Sequence, residues 1–255
     1  MILTSRETGA GEPIVILHGL FGSARNWQSI AQKLSISNHV FTIDLPNHGS
    51  SGWTNCMSYG NLSRIISKFI VENNIEGATV LGHSLGGKLA MVIALTKPAL
   101  VGRLIVADIA PVKYDHDNLS VVKALECVDL SLVKTRGDAD WYLKKNIRQQ
   151  AMRSFLLQNL VSDGDRYKWR INITAIKANL HKIQGFPSFT DDTFYNGPTL
   201  FVAAANSEFI HPTHDYKIKR FFPNSSLVKI ANAGHWIHAD NPEAFLSSIT
   251  GFIRS

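Results

Sequence analysis

Six short apolar runs, separated by segments of helical character, constrain the fold of this chain more than any other feature. Residues 14–17 (IVIL), 40–43 (VFTI), 79–81, 104–107, 200–203 and 227–230 are brief and mostly aliphatic or β-branched. Runs of this kind read as strands covered on both faces. Between the second and third, Leu62, Ile65, Ile66, Phe69 and Ile70 recur at i, i+3, i+4, i+7 and i+8, one apolar stripe of a helix. Asn61, after Gly60, is the expected cap of that helix. Pro242 is expected to open a last helix that turns Phe245, Ile249 and Phe252 inward. Strands alternating with helices predict an α/β chain with a mostly parallel, doubly wound sheet. A length of 255 residues suits one such domain.

One stretch breaks the rhythm. Residues 112–194 carry no convincing strand pattern and read as helices around 119–127, 139–150, 152–160 and 173–183, with 161–166 (VSDGDR) as a turn. The expected organisation is a core of residues 1–111 and 195–255 with a helical cap, 112–194, inserted over one end of the sheet.

Composition narrows the function classes. Hydrophobic residues at 45% and charged residues at 18% exclude a disordered chain. No run of eighteen apolar residues occurs, so no membrane span is expected. The opening MILTSRETGAGEP lacks the pattern of a secretory signal, and a cytoplasmic location is the expectation. Cys56 and Cys127 form no CxxC pair, which argues against a zinc or redox site, and a reducing compartment disfavours a disulfide between them. The net charge of +6 is scattered. Its densest cluster, Lys144, Lys145, Arg148 and Arg153, reads as a solvated helix face with at most a weak pull on anionic substrates, and no nucleic-acid partner is expected.

The chemistry concentrates in three loops. Gly82-His83-Ser84-Leu85-Gly86 follows the run at 79–81 and precedes a helical run, the strand–turn–helix setting of a nucleophile elbow with Ser84 as nucleophile. The helix start aims free N–H groups at a developing oxyanion, and Leu85 N–H is the expected first donor. His18-Gly19-Leu20-Phe21-Gly22 follows the first run, and Leu20 N–H is the expected second donor, with His18 bracing the loop. His235, on the loop after the last run, is the expected general base. His83 is expected to point away by strand alternation, and His238 to lie at the surface. The acid is less determined. The usual loop, after 200–203, reads Ala-Ala-Asn-Ser-Glu, without an aspartate. Asp108, at the carboxyl end of the run at 104–107, is favoured, with Glu208 a rival and Asp44 a weaker one. Ser207 is placed to hydrogen-bond within the triad.

The motifs HGLFGSARNW, DLPNHGSS, GHSLGGK, ADIAPVKY, FLLQNLV with YKWRIN, ANS and ANAGHW occur in this order. Together they resemble the branch of α/β hydrolases formed by YbfF-type bacterial acyl-CoA esterases and their mitochondrial relatives, from about Ile14 to the C-terminus. The resemblance implies an α/β-hydrolase fold with a helical cap, and serine esterase or thioesterase activity on acyl groups. It implies an acid at the position of Asp108. Leu45-Pro46 before Asn47-His48-Gly49 departs from the family, in which an arginine is common, and is expected to alter the pocket. The short stretch before Ile14 leaves room for little more than one strand. Phe21, Phe155, Leu156, Trp169 and Trp236 are the candidates for the acyl pocket. A two-step acyl transfer needs no metal and no organic cofactor, so neither is expected. A dehalogenase or epoxide hydrolase would need a carboxylate where Ser84 stands. A cofactor-free haloperoxidase or perhydrolase, or a ligand receptor that keeps the triad, are the remaining alternatives.

Overall fold

The computed structural model describes every residue except His116. In chain order the elements are β1 (Ser5–Thr8), β2 (Glu12–Leu17), α1 (Gln28–Leu34), β3 (Asn38–Ile43), α2 (Tyr59–Glu72), β4 (Ala78–His83), α3 (Leu85–Thr96) and β5 (Val101–Ala107). There follow α4 (Asn118–Glu126), α5 (Arg136–Lys144), α6 (Gln150–Leu157), β6 (Leu160–Asp163), β7 (Arg166–Trp169) and α7 (Ile173–Gln184). The chain ends with β8 (Thr199–Ala204), α8 (Asp215–Phe221), β9 (Ser225–Ile230), α9 (Ile237–Asp240) and α10 (Pro242–Arg254).

Seven strands form one sheet in the order β1-β3-β2-β4-β5-β8-β9. Only β1 runs antiparallel, pairing Ser5–Thr8 with β3 at the edge, so the short N-terminal stretch supplies a single strand. Side-chain alternation divides the core in two. Ile14 and Ile16 of β2 pack with Trp27, Ile30 and Leu34 of the α1 region and with Phe245 and Ile249 of α10. Val15 and Leu17 pack on the other face with α2, α3 and the segment between β5 and β8. Burial on both faces explains why the inner strands read as continuous apolar runs. The last run behaves differently. β9 ends the strand order as an edge strand, and Leu227 and Val228 are 52% and 37% exposed.

α2 starts at Tyr59, two residues earlier than its expected cap. Ser58 is extended (φ −62°, ψ 145°) and its side chain accepts from Asn61 N–H, so Ser58 is the cap and Asn61 lies in the first turn. In α10 the inward residues are Phe245, Leu246 and Ile249, with Phe252 only half-buried.

The segment between β5 and β8 is not purely helical. The stretch read as a turn lies in an antiparallel hairpin, β6 with β7, in register from Leu160–Trp169 to Asp163–Arg166. Its loop is Gly164-Asp165, with Gly164 at φ +63°. Four-residue strands that are largely exposed carry too little apolar alternation to show in the sequence. Buried polar groups pin this segment to the core. Asn159 Nδ2 donates to the Phe21 carbonyl at 2.8 Å, and Asn172 N–H to the Asn47 carbonyl at 3.0 Å. Asn179 Oδ1 accepts from Met57 N–H at 3.2 Å, and the Tyr59 hydroxyl donates to Ile183 O at 2.7 Å. Asn159 and Asn172 are the asparagines of the FLLQNLV and YKWRIN motifs. Both cysteines are free and exposed. Among the described residues no helix is long and apolar enough to cross a membrane.

Candidate active site

Ser84 sits between β4 and α3 with φ +52° and ψ −116°, a strained conformation for a residue with a side chain. The turn is possible because the chain approaches itself closely there. A Cβ on Gly82 would run into the Gly86 carbonyl, and one on Gly86 into the carbonyls of Leu17 and His18 at the end of β2. Ser84 N–H is held by Ala107 O at 3.2 Å, tying the elbow to β5. Leu20 and Leu85 line the same cavity as Ser84. Neither backbone N–H is spent on a partner among the described residues, whereas the adjacent Phe21 N–H is taken by His48 Nε2 at 3.2 Å. Phe21 itself has φ +60°, which turns the loop over the elbow.

His235 meets Asp108, and neither Glu208 nor Asp44. Its Nδ1 lies 2.9 Å from Asp108 Oδ2. Ser207 Oγ donates to the same oxygen at 2.5 Å, and Ala204 N–H donates to Oδ1 at 3.0 Å. Asp108 is fully buried and has φ +48°, a left-handed turn that swings its carboxylate off the end of β5 toward the loop after β8. Asp108 N–H, bonded to Val202 O at 2.8 Å, fixes that turn. Glu208 is exposed. Asp44 instead accepts from Ala24 and Ser50 N–H at 2.7 and 2.8 Å, bracing two loops.

Several neighbours of the site escaped the sequence reading. His83 faces the cavity, and its Nε2 donates to the His235 carbonyl at 2.7 Å. His238 is buried, not at the surface, and stacks on Trp27 at 4.1 Å and 12°. Phe209 stacks on the His235 imidazole at 3.8 Å and 16°. No periodic pattern marks a single aromatic in a loop, so Phe209 carried no signal. His18 accepts from Leu45 N–H through Nε2 and donates through Nδ1 to Gly19 O, at 2.9 and 2.8 Å. Burial lowers the pKa of His18 to about 4, and those of His48 and His238 to about 3. It also holds His83 well below the usual imidazole value. These four rings are therefore neutral near pH 7 and serve as hydrogen-bonding and packing groups.

Ser84 and His235 open onto one cavity of about 630 Å³. Of the expected pocket residues, Phe21, Phe155 and Trp236 line it, and the rings of Phe155 and Trp236 meet at 5.1 Å across its wall. Leu156 and Trp169 do not. Leu156 is fully buried in the core and Trp169 packs against that core, because α6 turns Phe155 to the cavity and its neighbour away. Leu45 and Pro46 are buried and do not line the cavity.

A family model described as the alpha/beta hydrolase fold matches residues 12–242. The chain is 39% identical over 254 residues to the sn-1-specific diacylglycerol lipase ABHD11 of Danio rerio, covering 96% of this chain and 80% of that protein. It is 30% identical to esterase YbfF of Escherichia coli, over 98% of this chain and 96% of that one. A solved structure of a marine microorganism esterase matches with a TM-score of 0.95 at 38% identity, over 98% of each chain. The match runs through both parts of the sheet and the segment between them, and this chain belongs to the α/β-hydrolase family.

Proposed function

We propose that this protein is a serine-dependent carboxylic ester hydrolase that forms an acyl-enzyme on Ser84 and turns over short to medium acyl esters or acyl-CoA thioesters. The observation that carries the reading is the 2.9 Å contact between His235 Nδ1 and the buried Asp108 carboxylate, beside the cavity that Ser84 shares. The relatives named as esterases and lipases support the same class of substrate. In this mechanism Asp108 holds the proton on Nδ1, leaving Nε2 free to take the Ser84 proton as the hydroxyl attacks the acyl carbonyl. Leu20 and Leu85 N–H groups receive the oxyanion, and the start of α3 adds its dipole. His235 then protonates the leaving alcohol or thiol. Water, deprotonated by the same ring, releases the acid and restores Ser84. A cavity of this volume, walled by Phe21, Phe155 and Trp236, suits an acyl chain of modest length.

A fluorophosphonate probe tests the nucleophile. Labelling confined to Ser84, and lost in Ser84→Ala, is expected; equal labelling of that variant refutes the assignment. A panel of p-nitrophenyl esters and acyl-CoA thioesters of graded length then separates ester from thioester preference. Efficient hydrolysis of emulsified long-chain triglyceride would contradict the size range.

A further inference from the structure

Lys88 is a buried charge that the proposed ester hydrolysis does not use. It lies one helical turn beyond Ser84, its N–H bonded to the Ser84 carbonyl at 2.9 Å, and it lines the cavity. The residue is 1% exposed. Its ammonium donates to the carbonyls of Gln184 and Gly185, both at 2.7 Å, where α7 ends. It also sits 4.8 Å from the centre of the Tyr114 ring. Carbonyl dipoles and an aromatic face are its contacts, and among the described residues it makes no ion pair. Burial lowers its pKa to about 7, with no carboxylate close enough to raise it again. Tyr114, the ionisable side chain against it, is pushed well up by its own burial and stays neutral. The acids on the cavity lining, Asp117 and Asp240, are exposed at its rim. A buried ammonium without a counter-ion is expensive, and the space it adjoins is the one that receives substrate.

We propose that Lys88 makes the buried wall of the cavity an anion subsite, and that the enzyme selects esters whose acyl part ends in a carboxylate. The proposal rests on the ester-hydrolase reading and adds the substrate's chemistry to it. The acyl carbon bonds to Ser84 and the chain's far carboxylate meets Lys88, which supplies the missing counter-charge. Ser84 and Lys88 lie one helical turn apart at the start of α3, so the matching acyl group is a short dicarboxylate. Lys88 in this role touches substrate at a point remote from the reacting carbonyl, so its contribution appears in KM.

The test compares two fluorogenic esters of one alcohol, a glutarate monoester and the neutral valerate ester of equal carbon number, by kcat/KM. Taking the ratio cancels the ionisation of His235 and any general loss of activity. The wild-type ratio is expected to exceed ten at pH 6 and to be smaller at pH 9, where Lys88 is deprotonated. In Lys88→Met the ratio should fall at least tenfold, whatever the absolute rates, and should no longer depend on pH. If that variant does not fold, the wild-type ratio and its pH dependence still decide. A wild-type ratio of one or less at pH 6, with brisk valerate turnover, overturns the subsite alone, as does an unchanged ratio in folded Lys88→Met. Turnover of neither ester, with Ser84 inert to fluorophosphonate, overturns the ester-hydrolase reading and the subsite with it.

Discussion

Asp108→Asn is the sharpest perturbation of the proposed triad, because its hydrogen bonds dictate which way the new amide points. Ala204 N–H donates to Oδ1, while Ser207 Oγ and His235 Nδ1 both approach Oδ2. With the amide NH2 on the Oδ1 side, two N–H donors would face each other in a fully buried site, at a cost of about 1–3 kcal/mol. The amide oxygen therefore stays with Ala204, and the NH2 faces Ser207 and His235. Ser207 can rotate its hydroxyl to accept. His235 can accept only by moving its proton from Nδ1 to Nε2, and that tautomer cannot take the Ser84 proton. A triad locked in this state loses on the order of 10⁴ in kcat, about 5.5 kcal/mol of barrier. The assay is p-nitrophenyl butyrate hydrolysis at saturation, with melting temperature recorded alongside to establish folding. Glu208→Gln, at an exposed residue without a contact to His235, should lose less than about threefold by the weakness of exposed charges. A folded Asp108→Asn that keeps more than a tenth of the wild-type kcat would refute the argument. So would a dead Glu208→Gln.

Three further outcomes follow from the packing. Phe155→Ala removes one ring of the pair with Trp236, so the ratio of decanoate to butyrate hydrolysis should rise; an unchanged ratio would free that pair from any role in chain length. Gly86→Ala drives a Cβ into the backbone at the end of β2, which should cost about 1–3 kcal/mol and lower the melting temperature by roughly 3–10 °C, with calorimetry as the check. His238 has its pKa lowered to about 3 in the folded state against 6.5 unfolded, so the stability it gives is present above pH 6.5 and lost as pH falls toward 3. His238→Phe keeps the stack on Trp27 without that titration. Its melting temperature relative to wild type should therefore rise by several degrees between pH 8 and pH 5, where the unfolded imidazole's proton is worth about 2 kcal/mol.

The parallel sheet was legible in the sequence because strands buried on both faces must be apolar throughout, and a run such as 14–17 has few other uses. The elbow was legible for a local reason. Its strained serine needs glycines at fixed offsets, and the strand before it and helix after it are contiguous in the chain. Other features depended on contacts between distant segments. Ser58 capping α2 and the β6–β7 hairpin are settled by one hydroxyl and by two four-residue strands, too little for a periodic pattern to register. Phe155 and Leu156 are chemically alike in sequence, and only the rotation of α6 decides which one meets the cavity.

The sequence by itself determined the order of the six core strand runs, the elbow at Ser84 and a histidine on the last loop, since each follows from local pattern or local steric need. It favoured Asp108 over Glu208 and Asp44 from its place at the end of a strand, without reaching the contact itself. Only tertiary structure, by the left-handed turn at Asp108 and its partners Ala204, Ser207 and His235, brings that carboxylate to the imidazole across 127 residues of chain. Likewise, the lysine in GHSLGGK looks like any helix-surface cation until α7 ends over it, because burial is a property of what packs on a residue and is not written in the residue itself.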